Sequence, residues 1–335
     1  MSVPARAVLD RAGPYDLLSS CHGFLPCTPP SPSLPPSHQA WDAAAAQLPD
    51  LYRDLALRTA LAELPVLDAG PAALPAEHLR RAAMLLTMLA HAYVHFDDRP
   101  VPPPAALLTP WDEVSRRLGR PPRCMTVLDL VVCNWRLVDP DGPRTVANLQ
   151  PLCVTVGNRE QIVSWTSLVE VLAASAPAVS AAARVQEAVL ARDPDVLRDE
   201  FDLLRDVLDA VAAGPLAAIN LHEAAPTHVD PVVWSRTVVG VASPVADGVE
   251  QGPAGTGLPL FHLFDALLGR TRHDSRLGRE MRAVRRGHPA SWREFVDAVT
   301  AVPVGDHVTR HGGRIWAEGH VNQGATFFFT LSETA

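Results

Sequence analysis

Apolar residues recur at helical spacing along most of the chain, and no two-residue alternation competes with them. Ala40–Leu61 and Ala76–Phe96 carry apolar side chains at i, i+3 and i+4, the mark of one buried face of an α-helix. Trp111–Leu118, Cys124–Leu137, Arg159–Ala174, Val179–Leu190, Asp195–Ala213 and Pro231–Val239 also read as helices, separated by Pro, Gly or Asp. Asp195 reads as an N-cap, Gly214–Pro215 as a stop, and Gly269 as the C-cap of LPLFHLFDALLG. VPPPAALLTP at 101–110 interrupts the pattern. It divides a small N-terminal helical unit, 1–104, with a proline-rich loop at 26–36, from a large helical unit, 105–335. With no βαβ alternation and no internal repeat, an all-α fold follows.

Composition narrows the chemistry. The 335 residues are 47% apolar and suffice for a large buried core. No run approaches about 18 uninterrupted apolar residues, and Met1–Pro14 lacks a basic stretch followed by an apolar one. The expectation is a cytoplasmic protein without a membrane partner. A formal charge of −8 offers no footprint for nucleic acid, and Arg282, Arg285 and Arg286 have the spacing of a solvated helix face. The five cysteines are odd in number and scattered, which suits free thiols in a reducing compartment. All 29 basic residues are Arg and none is Lys, a usage that fits a high-GC bacterial genome. The chain therefore cannot form a Schiff base on its own side chains or anchor pyridoxal phosphate.

The glycine-rich segment at 248–257, GVEQGPAGTG, lacks the GK[ST] ending of a phosphate loop and follows no strand, so it reads as a lid or a crossing between helices. His222 and His228 flank Glu223 without forming HExxH, which leaves little basis for a zinc site. Trp165 and Trp234 can stack on an aromatic ligand, although most helix tryptophans are core. Phe327–Phe329 reads as the packed end of the chain.

Several blocks, in order, resemble the indoleamine 2,3-dioxygenase family: HGFLP at 22–26, RAAMLLTMLAHAYV at 81–94, VLDLVVCNWRLVDPDGP at 127–143, LVEVLAAS at 168–175, HVDP at 228–231 and LFHLFDALLG at 260–269. REFVDAV at 293–299 and the segment through His311–Gly312 continue the match. The resemblance implies an all-helical protein, a small domain over a large one that holds haem b, with an axial histidine on a late helix and oxidation of the indole ring of tryptophan. Carried over residue by residue, a pocket tyrosine falls at Val127, a cysteine at Leu130 beside Val131, an aromatic pair at Ile162 and Val163, and a distal serine at Thr166. The phenylalanine that packs on the indole falls at Trp234 and the carboxylate-binding arginine at Val239. Arg236, about one helical turn earlier, is the available substitute. The small-residue loop beside the haem becomes Pro253–Ala254, and Asp265 matches an aspartate on the axial side. His22, before GFLP, falls where the resemblance places the domain interface, and packing is its expected role.

The axial ligand has no direct counterpart. Taking RIWAEGHVNQGATFFFTLSETA, 314–335, as the last core helix puts the ligand position near Ser332–Glu333, neither of which replaces a haem-ligating imidazole. His320 meets that position only through a gap, and its neighbours Gly319 and Gly324 each cost a helix about 1 kcal/mol relative to Ala. The leading expectation is therefore an indole-sized pocket without a cofactor, serving bacterial secondary metabolism. Condensation of tryptophan with an aldehyde and ring closure to a β-carboline, a Pictet–Spengler reaction, needs only orientation and a base. Asp265 and Glu170 are the candidate bases, although a structural ion pair is the default role for each. Trp234 and Thr166 are expected as walls and Arg236 as the carboxylate partner. The alternatives are a haem oxygenase with His320 on iron and a haem-free binding protein without catalysis.

Overall fold

The computed structural model of the chain describes residues 3–11, 16–97, 99, 101–219, 225, 227–245, 255–270, 274–310, 313, 315–320 and 324–329. Its helices in chain order are α1 (Ala5–Asp10), α2 (Gln39–Ala46), α3 (Leu48–Arg53), α4 (Leu57–Ala62), α5 (Leu79–Val94), α6 (Ala105–Arg117), α7 (Arg159–Ala174) and α8 (Ala176–Ala191), followed by α9 (Pro194–Ala213), α10 (Pro215–Ala218), α11 (Pro231–Thr237), α12 (Pro259–Leu267), α13 (Arg276–Arg285), α14 (Ala290–Thr300) and α15 (Val304–Arg310). Two antiparallel ribbons complete it: β1 (Arg136–Leu137) with β2 (Leu149–Gln150), and β3 (Ile315–His320) with β4 (Gly324–Phe329). The fold is all-α, as the apolar spacing requires.

The centre is α5, in which every residue but Arg80 is buried. It packs against α2, α4, α6 and the turn at 128–132, so one core continues from Ala5 to Val308 across the Pro104 N-cap of α6. Arg81 fastens α5 to α2 through Asp42, at 2.7 Å, and the same carboxylate accepts the N–H of Leu34 in the proline-rich loop. On the other side, α8 presents Ala178, Ala181, Ala182 and Ala183, all fully buried, which lets α9 and α1 approach closely. Gly23 has φ +59°, and a Cβ there would lie 2.8 Å from the Ala176 Cα, so only glycine allows the N-terminal segment to rest on the start of α8. The run Arg159–Ala191 is long and apolar enough to cross a membrane, but 67% of its most apolar window is buried in this core.

Several boundaries differ from the sequence reading. The 40–61 run is three short helices, because Pro49 opens α3 and Leu55 takes φ +56°, which ends the regular helix. The apparent break at 101–110 lies largely inside α6, which begins at Ala105 and carries Pro110 buried within it. The N-cap of α9 is Asp193, not Asp195; its carboxylate accepts the Asp195 and Val196 N–H groups, with Pro194 pre-set for the first helical position. The largest difference is at the C-terminus. Ile315–His320 and Gly324–Phe329 pair as strands, with His320 opposite Gly324, where a helix was expected. Ile, Trp, Thr and three successive Phe favour a pleated strand, and the glycines disfavour a helix.

Two histidines are buried without charge. Burial, followed by the neighbouring His95, pushes His91 in α5 from 6.5 to about 3, and both of its ring nitrogens lack a hydrogen-bond partner. Burial likewise pushes His288 to about 3. Because the folded values are depressed, each histidine binds its proton only when the chain unfolds. The stability they leave intact above pH 6.5 is lost as pH falls toward 3, with a slope of up to about 1.4 kcal/mol per pH unit for each. Urea midpoints measured between about pH 7 and 5 are expected to fall, and in His91→Leu to fall less steeply with no loss of stability at pH 7. An unchanged slope in that variant would contradict the assignment.

Candidate functional site

The turn that carries the first wall is shaped by a buried carboxylate. Asp129 is 1% exposed within an otherwise apolar stretch. It accepts the Thr126 N–H at 2.9 Å and the Thr126 hydroxyl at 3.0 Å. Both terminal nitrogens of the buried Arg120 donate to it, one at 2.8 Å. The chain closes with a wide turn in which the Cys133 N–H reaches the Leu128 carbonyl at 2.8 Å, an i→i−5 bond of the kind that interrupts regular helix at functional sites. The sequence reading of helix through Cys124–Leu137 is thus corrected: the stretch forms this turn and then β1. Val127, Leu130 and Val131 are all buried in it.

This turn packs against α7, which bears Ile162, Val163 and Thr166. The Thr166 hydroxyl is buried and donates to the Ile162 carbonyl at 2.7 Å, so it presents only lone pairs to anything beside it. Gly257 lies against the same wall: a Cβ there would be 3.9 Å from the Val127 Cβ and 3.0 Å from Val284 Cγ1. The residues the resemblance carries to this place, Val127, Leu130, Val131, Ile162, Val163 and Thr166, are all uncharged.

The second wall hangs from the start of α7. Asn158 caps the helix by accepting the Gln161 N–H at 3.0 Å and donates its amide to the Thr237 hydroxyl at 3.0 Å. Gln161 is fully buried; its amide donates to the Thr237 carbonyl at 2.9 Å and its oxygen accepts the Val156 and Gly157 N–H groups. At the other end of α11, Asp230 caps the helix and its own N–H reaches Glu160 at 3.4 Å. Both ends of α11 are therefore fastened to one turn of α7. This places Trp234 at 38% and Val239 at 40% exposure, with Arg236 also exposed. Nothing in the spacing of α11 pointed to Asn158, Glu160 and Gln161 as its anchors; a run of polar residues opening an apolar helix was the available signal.

The two candidate bases are elsewhere. Glu170 accepts the Val146 N–H at 2.5 Å and so secures the loop before β2. Asp265 is half-buried near the end of α12 and is already engaged by a neighbour. Trp165 is 2% exposed and belongs to the core. His22 accepts from Arg144 at 2.8 Å, which together with burial lowers its pKa, burial being the larger cause, and is a packing residue. Burial pushes the Cys133 and Cys153 thiols up to about 12, which removes them as nucleophiles. His222, Glu223, Pro253, Ala254, His311, Gly312, Ser332 and Glu333 lie outside the described residues.

Two histidines beside these residues are already engaged, and the histidine carried over to the axial position lies in a strand. The last described element is a hairpin with His320 at a strand end. His262 and His288 are committed to backbone carbonyls, at 2.9 and 2.7 Å. Among the described residues, no three of His, Cys, Asp and Glu converge as a metal site.

A family model described as indoleamine 2,3-dioxygenase matches residues 13–227. The chain is 26% identical over 308 residues to indoleamine 2,3-dioxygenase 2 of Mus musculus, covering 85% of this chain and 73% of the relative. It is 27% identical over 327 residues to the Homo sapiens protein of that name, covering 90% and 77%. With indoleamine 2,3-dioxygenase 1 of Rattus norvegicus it shares 34% identity over 173 residues, covering 50% of this chain and 42% of the relative.

Removing one partner of a buried ion pair leaves the other charge uncompensated, a loss of about 3–5 kcal/mol. Asp129→Ala is expected to lower unfolding stability by that order in urea titrations. The double variant Asp129→Leu with Arg120→Met is expected to recover most of it. Equal loss in the single and double variants would show that the pair is not what stabilises the turn.

Proposed function

Since the chain belongs to the indoleamine 2,3-dioxygenase family, we propose that it is an enzyme acting on tryptophan or a tryptophan-derived indole, and that it oxidises the indole ring. The observation that carries this reading is the uncharged wall made by Val127, Leu130, Val131, Ile162, Val163 and Thr166, on two elements packed together. An indole buried there loses water from both faces of its ring, at about 25 cal/mol per Å² of apolar surface. Trp234, exposed on α11, supplies a ring to stack on it. Arg236 supplies a guanidinium for an amino-acid carboxylate in place of the absent charge at Val239. Haem b, which the resemblance implies, would bring dioxygen activation to these walls.

One observation favours a haem-free second reading: the hairpin stands where the resemblance puts the ligand-bearing helix. Ring closure of tryptophan with an aldehyde needs a free base, however, and the commitments of Glu170 and Asp265 weigh against both candidates. Oxidation, the reaction in the relatives' own name, is therefore the better-supported chemistry.

Purified protein supplied with haem and a reductant is expected to show a Soret band and to convert tryptophan to a product heavier by two oxygen atoms. A colourless protein that instead joins tryptophan to an aldehyde would establish the second reading, and binding without turnover would establish a binding protein. Arg236→Ala is expected to raise KM about tenfold for tryptophan and to leave tryptamine, which lacks the carboxylate, unchanged. Equal effects on both substrates would remove Arg236 from the carboxylate site.

A further inference from the structure

Two imidazoles act on consecutive carbonyls beside the Val127 wall. His262, buried in the second turn of α12, lies 2.9 Å by its Nε2 from the Thr256 carbonyl. His288, buried between α13 and α14, lies 2.7 Å by its Nε2 from the Gly257 carbonyl. A carbonyl oxygen only accepts, so both Nε2 atoms carry the hydrogen. The two rings meet edge to face, with centroids 5.0 Å apart at 88°. His288 in turn stacks edge to face on the fully buried Trp292, whose indole N–H donates to the Leu17 carbonyl at 2.5 Å.

The strut ends beside Thr126 and Val127. Gly257 faces Val127, and Gly287, next to His288, is closer still to the turn: a Cβ there would lie 2.8 Å from Thr126 Cγ2. Residues 256–257 and 287–288 thus sit against the first two residues of the wall turn, with no room for a side chain at Gly287. We propose that His262 and His288 are positioning residues that hold the Thr256–Gly257 backbone against Val127 and thereby set the depth of the indole pocket. The proposal rests on the indole-binding reading above. Burial, together with His262, Arg285 and Arg293 nearby, keeps His288 neutral to about pH 3, so the strut is a fixed brace across physiological pH.

The test uses the full chain and three variants, His288→Ala, His288→Gln and His262→Ala. Loss of one hydrogen bond that orders the wall is expected to raise KM for tryptophan about tenfold in each alanine variant, with kcat changing less than KM. His288→Gln, which keeps an N–H donor, is expected to recover most of that change. Amide hydrogen exchange at Thr256–Leu258 is expected to accelerate in the alanine variants while α5 stays protected, a local effect that global destabilisation would not produce. Unchanged KM with unchanged exchange at 256–258 would overturn the proposal, and so would acceleration equal to that of α5. If the unsubstituted protein neither binds nor turns over tryptophan, the functional reading fails and the depth-setting role fails with it. The exchange measurement then still decides whether the two imidazoles hold the segment. An active protein with indifferent variants overturns this inference alone.

Discussion

The buried pair of Arg120 and Asp129 is the constraint on which the rest of the site depends. Taking two charges out of water costs several kcal/mol per ion, so the pair persists only because the two ions and their neighbours hydrogen-bond each other closely. Asp129 accepts from Arg120 and from both donors of Thr126, and this arrangement fixes where the backbone turns. Immediately after the turn, Asn134 exchanges two hydrogen bonds with Cys153, at 2.9 and 2.8 Å. That exchange sets the approach to α7. Position therefore passes from one carboxylate to the turn, then through Asn134 to the helix bearing the opposite wall.

Polar and apolar residues divide the labour. The residues proposed to line the ring site are apolar apart from Thr166, and the groups that hold their elements in place are polar. Gln161, Asn158 and Glu160 hang α11 on α7; His262 and His288 press the 256–257 backbone onto Val127; Glu170 secures the loop before β2. Buried polar groups are costly unless satisfied, and a network satisfied by one geometry resists every other.

That division also bears on the carboxylates. Glu170 was a candidate base because it lies on a helix that the resemblance places beside the pocket. In the folded chain its carboxylate instead accepts the Val146 backbone N–H. A titratable group near a site by helical spacing alone need not face it, because the helix outlasts the pocket.

The sequence by itself determined the helical class, since apolar spacing over long stretches leaves a chain few other ways to bury its surface. It also determined α5, α7, α8, α9 and α12 to within a few residues. Only the tertiary structure decided the rest. Whether Asp129 lay in a helix or closed a turn depended on Arg120, nine residues away, finding it. Whether the 314–335 stretch was helix or hairpin depended on strand pairing, in which Gly324 and the three phenylalanines meet partners that local spacing does not reveal. The anchors of α11 and the two imidazoles at Thr256 and Gly257 are single polar residues, which carry no period. Their roles exist only once distant backbone is brought within hydrogen-bond reach.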